Sequence, residues 1–473
     1  MGVTIPGPSG EVLELFEISN SLRLNQGDSP VLTKTFSSAG TEETFTWSGW
    51  VKRGSDFGTR QVFFGADNAE NNNASYIRFT DDETIQAYLD DGNSLESNLN
   101  TSAKFRDVSA WYHIVWAVDT TQGTDTNRVK IYVNGVQLTD FQSPVYPPQN
   151  FVTDINAANE PHYVATPTAG VGNDYALDGY ITEVNFVDGS QLTPTSFGEF
   201  DDNGVWIPKR YTGSYGTNGF FLQFKQTGTS QNSSGIGADT SGQDNHFAVT
   251  NLAATDITED TCQNNFCTLN PLYKQGSPTF SEGNCKVVLP AGDGTQGAAG
   301  GIAPANGKWY WEVKHVSSTN SSILVREASD KEDDISYFEG NYAGYEKLDG
   351  NQRVTGNTES TYGAAYGNGD ILMVALDMDN DRVYFGKNGS WNDGSGNADE
   401  ANLSDYVSLS GVVNGLAAVA NGNGSATATF EFNFGNAPYA ISSGNTDGKY
   451  GNFEYAVPSG YYALCTKRLT EFG

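Results

Sequence analysis

Hydrolysis of a glycosidic bond needs two carboxylates on one face, one to protonate the leaving oxygen and one to attack or to activate water. On a strand they would stand at alternate positions, as Glu, Asp and Glu. The chain shows no such row. Glu183 stands alone in YITEVNF, and Lys331, Glu332, Asp333 and Asp334 are consecutive, which sends neighbouring charges to opposite faces. The four histidines, His113, His162, His246 and His315, have no serine or cysteine nucleophile beside them in sequence, so no triad is indicated. His113 falls inside a strand-like run, WYHIVWAVD, where a histidine is ordinarily a hydrogen-bonded core residue. Enzymatic activity is therefore not expected, and no cofactor is implied.

The remaining chemistry is that of binding. Asp377, Asp379 and Asp381 alternate and would present three carboxylates to one side for calcium, but the run lacks the sixth-position glycine and twelfth-position glutamate of an EF-hand loop. Turn chemistry accounts for it. Residues 337–345 (YFEGNYAGY) and 361–368 (TYGAAYGN) are rich in Tyr and Asn. Aromatic rings stack on sugars and side-chain amides bond hydroxyls, so Tyr337, Tyr342, Tyr345, Tyr362, Tyr366 and Asn368 are the candidate ligand contacts. Protein-binding loops use tyrosine as well, and the same residues would also serve as packing under long loops. Cys262, Cys267, Cys285 and Cys465 are too sparse for a disulfide scaffold, contain no CxxC pair, and are expected as free thiols.

The elements that must carry these residues are strands. Residues 371–389 (ILMVALDMDNDRVYFGKNG) and 114–135 (IVWAVDTTQGTDTNRVKIYVNG) repeat one design: an apolar run ending in Asp, a polar turn, an alternating run, then Asn-Gly. Asn-Gly favours the positive φ angles of tight hairpins, so each copy reads as the central hairpin of its own sheet. At 473 residues the chain exceeds one core, and 54 glycines with 12% aromatics indicate an all-β protein with many turns and very little helix. The fold class expected is two tandem antiparallel β-sandwiches.

Lys and Arg number 26 against 57 Asp and Glu, a formal charge of −31. Such a surface repels phosphate backbones, which argues against nucleic acid as a partner. It suits solubility in a saline medium or simply a solvated, patch-free exterior. No run of about 18 apolar residues exists, and MGVTIPGPSG has neither a basic n-region nor an apolar h-region, so neither membrane insertion nor export is expected.

In chain order, residues 1–20 read as an arm in which Ser9 caps a short helical turn through VLELFEI, a candidate anchor to a larger assembly. From Thr44 the runs TFTWSGWVKR, QVFFG, SYIRFT, IQAYL, WYHIVWAVD, KIYVNG and YALDGYITEVNFVDG alternate with turn signals. The FTWSGWV run, the WYH strand opening, the strand ending in Asn134-Gly135, and DGYITEV followed by LTPTSFG resemble laminin-G-like, concanavalin A-like lectin modules across 21–198. That resemblance implies calcium at loop carboxylates on one rim, with Asp67, Asp81, Asp82 and Asp188 as candidates by position. A Gly/Asn/Ser-rich passage, including GFFLQF and TSGQDNHFAV, completes a first domain over 21–260 with extra edge strands. Beyond it, KWYWEV at 308–313, the 371–389 hairpin, FEFNFG at 430–435 and PSGYYAL at 458–464 occur in the order of the SPRY family, which 261–473 resembles; SSILVREAS near Ile323 is its weakest fit.

A laminin-G-like module followed by an SPRY module resembles virion proteins of tailed phages, particularly those of marine bacteria. The resemblance implies a fibre or host-recognition protein that binds a host-surface glycan or protein and contacts other virion proteins, assembled in the host cytoplasm. Alternatives are a capsid or tail decoration or scaffold protein and, last, a polysaccharide-degrading enzyme. Without heptads or a Gly-X-Y tract, a homo-oligomer must form through sandwich faces or the arm. With the arm as anchor, the tyrosine loops make the SPRY-like half the ligand-facing one.

Overall fold

Period-two alternation of large apolar and polar residues drives nearly every segment into strands. The structure, a computed structural model, describes residues 4–6, 12–14, 16–54, 58–68, 73–90, 95–165, 176–292, 296–329, 340–422 and 425–473. Among these a single α-helix occurs, Thr466–Phe472. The chain forms two compact units, Met1–Gln263 and Asn264–Gly473.

Two sheets face one another in the first unit. One runs Val136–Leu138, Val129–Val133, Trp111–Asp119, Thr44–Arg53, Gly179–Asp188, Ser21–Leu24 and Ile257–Thr258, with Phe220–Leu222 also paired to Gly179–Asp188. The other runs Phe141–Val145, Leu95–Thr101, Ile85–Asp90, Asn73–Phe79, Gln61–Asn68, Pro161–Val164, Val31–Thr35 and Ala248–Thr250. Both are antiparallel. Trp47, Phe64, Trp116, Phe186 and Phe220 fill the space between them. The edge strands Ile257–Thr258 and Ala248–Thr250 come from the Gly/Asn/Ser-rich passage.

The strand Thr44–Arg53 is buried at nine of its ten positions, so it has apolar matter on both faces. Phe45, Trp47 and Val51 point into the core, whereas Trp50 joins Trp111, Tyr180 and Trp206 in a second, outer layer. A roof of residues from 192–215, including Leu192, Phe197 and Tyr215, packs on Val115, Ala117, Val187 and Phe221 of that same outer face. Beneath it lies a buried ion pair: Lys52 Nζ meets Asp260 Oδ2 at 2.8 Å, and Trp111 Nε1 donates to Asp260 Oδ1 at 3.1 Å.

In the second unit a seven-stranded sheet and a ten-stranded sheet enclose Trp309, Trp311, Tyr345, Phe385 and Phe432. The segment around Ile323, the weakest SPRY fit, is a central strand, Ser321–Glu327, buried at all seven positions between Gly415–Asn421 and Tyr342–Glu346. This unit also has a roofed outer face, where Tyr310, Met373 and Ala375 pack with Phe453, Tyr461 and Cys465. Buried Glu312 holds that roof by accepting the Glu454 and Tyr455 amides at 3.0 and 2.7 Å.

The twin hairpins are close structural echoes. In the first, Asn134 donates its backbone N–H to His113 O (2.9 Å) and accepts His113 N–H on Oδ1 (2.8 Å). In the second, Asn388 donates to Ile371 O (2.9 Å) and accepts Ile371 N–H on Oδ1 (2.9 Å). Asn134 and Asn388 have φ of 47° and 50°, and the glycines after them 81° and 90°. At Gly135 a Cβ would also lie 2.3 Å from the Trp206 ring, so glycine is required twice over. The arm differs from expectation. Val12–Glu14 pairs antiparallel with Thr4–Pro6 as a strand, in place of the expected helical turn, and the prolines and glycines that precede it in sequence disfavour a helical start; Ser9 lies outside the described residues.

Candidate functional site

Four of the six proposed ligand contacts are core residues. Tyr342, Tyr345, Tyr362 and Tyr366 are at most 4% exposed. Tyr345 packs on Tyr366 (5.2 Å between centroids) and Tyr362 (6.0 Å), and its hydroxyl donates to Ala364 O. Tyr362 donates to Asp405 O (3.2 Å) and accepts Phe385 N–H (3.0 Å), while the Tyr366 hydroxyl reaches Ser321 O (3.1 Å). Burial pushes the Tyr342 phenol up to about 12 and raises those of Tyr345 and Tyr362 further. The expectation that they face a ligand is corrected: a strand and its loop covered on both sides use tyrosine as a large buried ring, and at Tyr345, Tyr362 and Tyr366 the hydroxyl still finds a backbone partner. Asn368 is exposed in a turn, and Tyr337 lies outside the described residues.

The calcium candidates are not brought together. Asp188 is saturated by N–H donors: Thr41 N (2.8 Å) and Asn156 Nδ2 (2.7 Å) on Oδ1, Thr217 N and Asn218 N (both 3.1 Å) on Oδ2. It is a hub that ties loops to its strand end, which corrects its reading as a metal ligand. Asp81 is exposed, 3.7 Å from Arg60, and Asp82 is exposed beside it. The Asp67 side chain lies outside the described residues, as do Lys331 to Asp334. Asp377 pairs with Lys308 (2.9 Å) and Asp379 accepts Gly307 N–H (2.8 Å), which is turn and strand-end chemistry. Among the described residues, Glu346, Asp349 and Glu359 gather their oxygens within 4.8 Å, but the Arg353 guanidinium bridges Glu346 (2.6 Å) and Glu359 (2.8 Å).

Under the first unit's roof the structure pairs a serine with a histidine that are 65 residues apart. Ser48 Oγ lies 2.9 Å from His113 Nε2, and Trp206 Nε1 lies 3.0 Å from His113 Nδ1. Indole N–H only donates, so Nδ1 accepts and the ring proton sits on Nε2, facing the serine. A general base needs the opposite tautomer. Burial pushes the His113 pKa down to about 3, so the ring stays neutral in its structural role.

Glu183 is next to it, at a β-bulge between Thr182 and Asn185 where φ is 52°. The bulge turns Glu183 to the outer face, into a small cleft, partly open to solvent and with room for about one water molecule, that Trp50, His113, Asn185, Phe197 and Tyr211 also line. Among the described residues its carboxylate accepts one hydrogen bond, a long one from Gln223 Nε2 at 3.4 Å. Burial raises its pKa to about 7. No second carboxylate lines the pocket among the described residues, so the pair needed for glycoside hydrolysis is absent there.

The second sheet of this unit has a different exterior. Along Asn73–Phe79, Ile85–Asp90 and Leu95–Thr101, the residues Ile77, Phe79, Ile85, Ala87, Leu89 and Leu99 point into the core. The alternate positions form two outward rows, Tyr76 opposite Tyr88 opposite Asn98, and Arg78 opposite Gln86 opposite Asn100, with Gln142 next to Asn100. Tyr76 and Tyr88 stack at 5.0 Å and 7°, and the Arg78 guanidinium lies 4.3 Å from the Tyr76 centroid. Tyr76 thus meets both the Tyr88 ring and the Arg78 guanidinium, and Tyr88 stands half-buried between Tyr76 and Asn98. Hydrogen bonds lock the set: Arg78 Nε to Gln86 Oε1 (2.8 Å), Gln86 Nε2 to Asn98 Oδ1 (2.8 Å), Thr84 Oγ1 to Asn100 Oδ1 (2.5 Å) and Tyr88 OH to Asp90 Oδ2 (3.0 Å). Burial and the Asp90 bond push the Tyr88 phenol up to about 12. These bonds use the asparagine acceptors and leave the Nδ2 groups of Asn98 and Asn100 without a partner among the described residues. Sequence reasoning identified SYIRFT and IQAYL as strands but missed this face. The signal was there: their outward positions carry Tyr, Arg, Gln and Tyr in place of the Thr, Lys and Glu of an ordinary solvated face.

Residues 25–196 match the model of the concanavalin A-like lectin/glucanases superfamily, which covers less than half of the chain. No curated protein sequence matches. Among solved structures, domains LG4-5 of the mouse laminin alpha1 chain are 9% identical and cover 91% of this chain and 90% of their own, with a TM-score of 0.30. The SPRY domain of human HERC1 is 15% identical over 35% of this chain and 96% of its own, TM-score 0.28. A heptameric SAP-like pentraxin from Limulus polyphemus is 13% identical over 38% and 80%, TM-score 0.29.

Proposed function

We propose that this chain is a non-catalytic recognition protein of a tailed-phage virion that binds a glycan or protein on the host surface. The observation that carries the reading is the outward face of the Tyr76, Tyr88 and Asn98 strands, where ring surface and unspent amide donors are held rigidly on a sheet of a lectin-type fold. The serine–histidine pair with the wrong tautomer and the solitary Glu183 support binding over catalysis. This reading assigns ligand contact to the first unit; the buried tyrosines of the second remove the reason for assigning it there.

The purified full chain should bind host cells and compete with infection. Release of reducing sugar from host envelope polysaccharide would overturn the non-catalytic assignment, and particle association without cell binding would favour a decoration role. The arm, with its paired strands Thr4–Pro6 and Val12–Glu14, is the proposed attachment to other virion proteins or to further copies of the chain: deleting residues 1–17 should leave both units folded and abolish incorporation into particles.

A further inference from the structure

The recognition reading leaves the ligand's chemistry open, and the charges on the candidate face narrow it. Carboxylates of Asp90 and Glu96 stand on the outward positions beside Tyr88 and Asn98. The cation on these rows, Arg78, is 7% exposed, with its guanidinium against the Tyr76 ring and its Nε on Gln86. A polyanion laid across the rows would meet two carboxylates and a covered cation on a chain of formal charge −31. A protein partner would find rings but no aliphatic side chain larger than Ala74 on the outward positions of the three strands and one exposed valine, Val145, beside Asn98 on the next, whereas stable protein interfaces bury an apolar centre. An uncharged polyhydroxylated chain meets what the face does offer. The half-exposed Tyr88 ring offers apolar surface to the C–H face of a pyranose, the Nδ2 groups of Asn98 and Asn100 donate to hydroxyl oxygens, and Asp90 accepts hydroxyl protons. Asn98 and Asn100 are two positions apart on one strand, roughly 7 Å, so both amides fall within the length of a disaccharide.

Resting on that recognition reading, we infer that the outward face of the Tyr88 and Asn98 strands is a binding site for a neutral polysaccharide, seated on Tyr88 and hydrogen-bonded by Asn98, Asn100 and Asp90. The ring supplies contact area at small entropic cost, and the amides, already fixed by their bonds to Gln86 and Thr84, discriminate hydroxyl geometry.

The test is affinity electrophoresis of the full chain in gels containing neutral homopolysaccharides (a β-glucan, a mannan, a galactan) and acidic ones (alginate, polygalacturonate), at low and high salt. Retardation by at least one neutral polymer, insensitive to salt, is expected. Tyr88→Ala should weaken it tenfold or more, and Asn98→Ala with Asn100→Ala by about tenfold, with the thermal midpoint of each variant near that of the parent. Salt-sensitive retardation by the acidic polymers alone would overturn the neutral assignment. Neutral binding that survives both variants would overturn the site. Host-cell binding without affinity for any neutral polymer would overturn this inference and leave the recognition reading standing, whereas loss of host-cell binding altogether would remove that reading itself.

Discussion

Replacing Glu183 by Gln removes an ionisation that the fold resists. In the unfolded chain the carboxyl titrates near 4.5, and burial raises it to about 7 in the folded protein. Between those values the native state holds a proton that the unfolded chain has released. Stability from this source is therefore full below pH 4.5, falls as pH rises, and is lost once pH passes about 7. The gap corresponds to about 3 kcal/mol at about 1.4 kcal/mol per tenfold in proton affinity. Gln has nearly the same shape as the protonated acid and carries no charge, so its advantage over the parent should grow from near zero at pH 4.5 to about 3 kcal/mol at pH 8. Urea titrations of parent and variant, followed by tryptophan fluorescence at several pH values, measure that difference. Contributions from His113 and His162 cancel, since both proteins contain them. A difference that does not change with pH, or a Gln variant weaker than the parent at pH 8, would show that Glu183 ionises freely in the fold and that the pocket is wetter than its lining implies.

Other perturbations separate core from surface. Asp260→Asn leaves the Lys52 ammonium buried without its counter-charge and should cost about 3–5 kcal/mol in the same urea titrations. Tyr345→Ala should cost about 3–5 kcal/mol and lower the thermal midpoint, in contrast to Tyr88→Ala on the surface. On acidification, the lowered pKa values of His113 (about 3) and His162 (about 4) mean that the unfolded chain gains protons first as pH falls below 6.5; by pH 4.5 the two together should remove about 5 kcal/mol of stability, and a double His→Gln variant should show a flatter acid limb.

The sandwich architecture was legible because its signals are local. The Asn134-Gly135 and Asn388-Gly389 turns and the period-two runs beside them need only neighbours in sequence to declare strands. The candidate face was half legible. Tyr76 and Tyr88 stand in visible strands, but their apposition depends on register across a turn, and the donors left on Asn98 and Asn100 depend on which acceptors Gln86 and Thr84 take. The tyrosines of residues 342–366 misled for a related reason. Loop-like composition, Gly and Asn around Tyr, describes a solvated binding loop and a segment that dives under another sheet equally well, and burial is a long-range fact. Ser48 with His113 is likewise invisible in a sequence where 65 residues separate them.

The paired turns bear on how long the molecule lasts. Asn-Gly is where polypeptides age chemically: the glycine amide nitrogen attacks the asparagine side-chain carbon, ammonia leaves, and the cyclic imide reopens as aspartate or isoaspartate. At Asn134 and Asn388 the side-chain oxygen is held on a strand amide, and the asparagine's own N–H is held on that residue's carbonyl, so the attack trajectory requires the clamp to open. Damage at these two positions should then track the opened fraction of each hairpin instead of elapsed time alone, which couples the chemical durability of the molecule to the tightness of two turns.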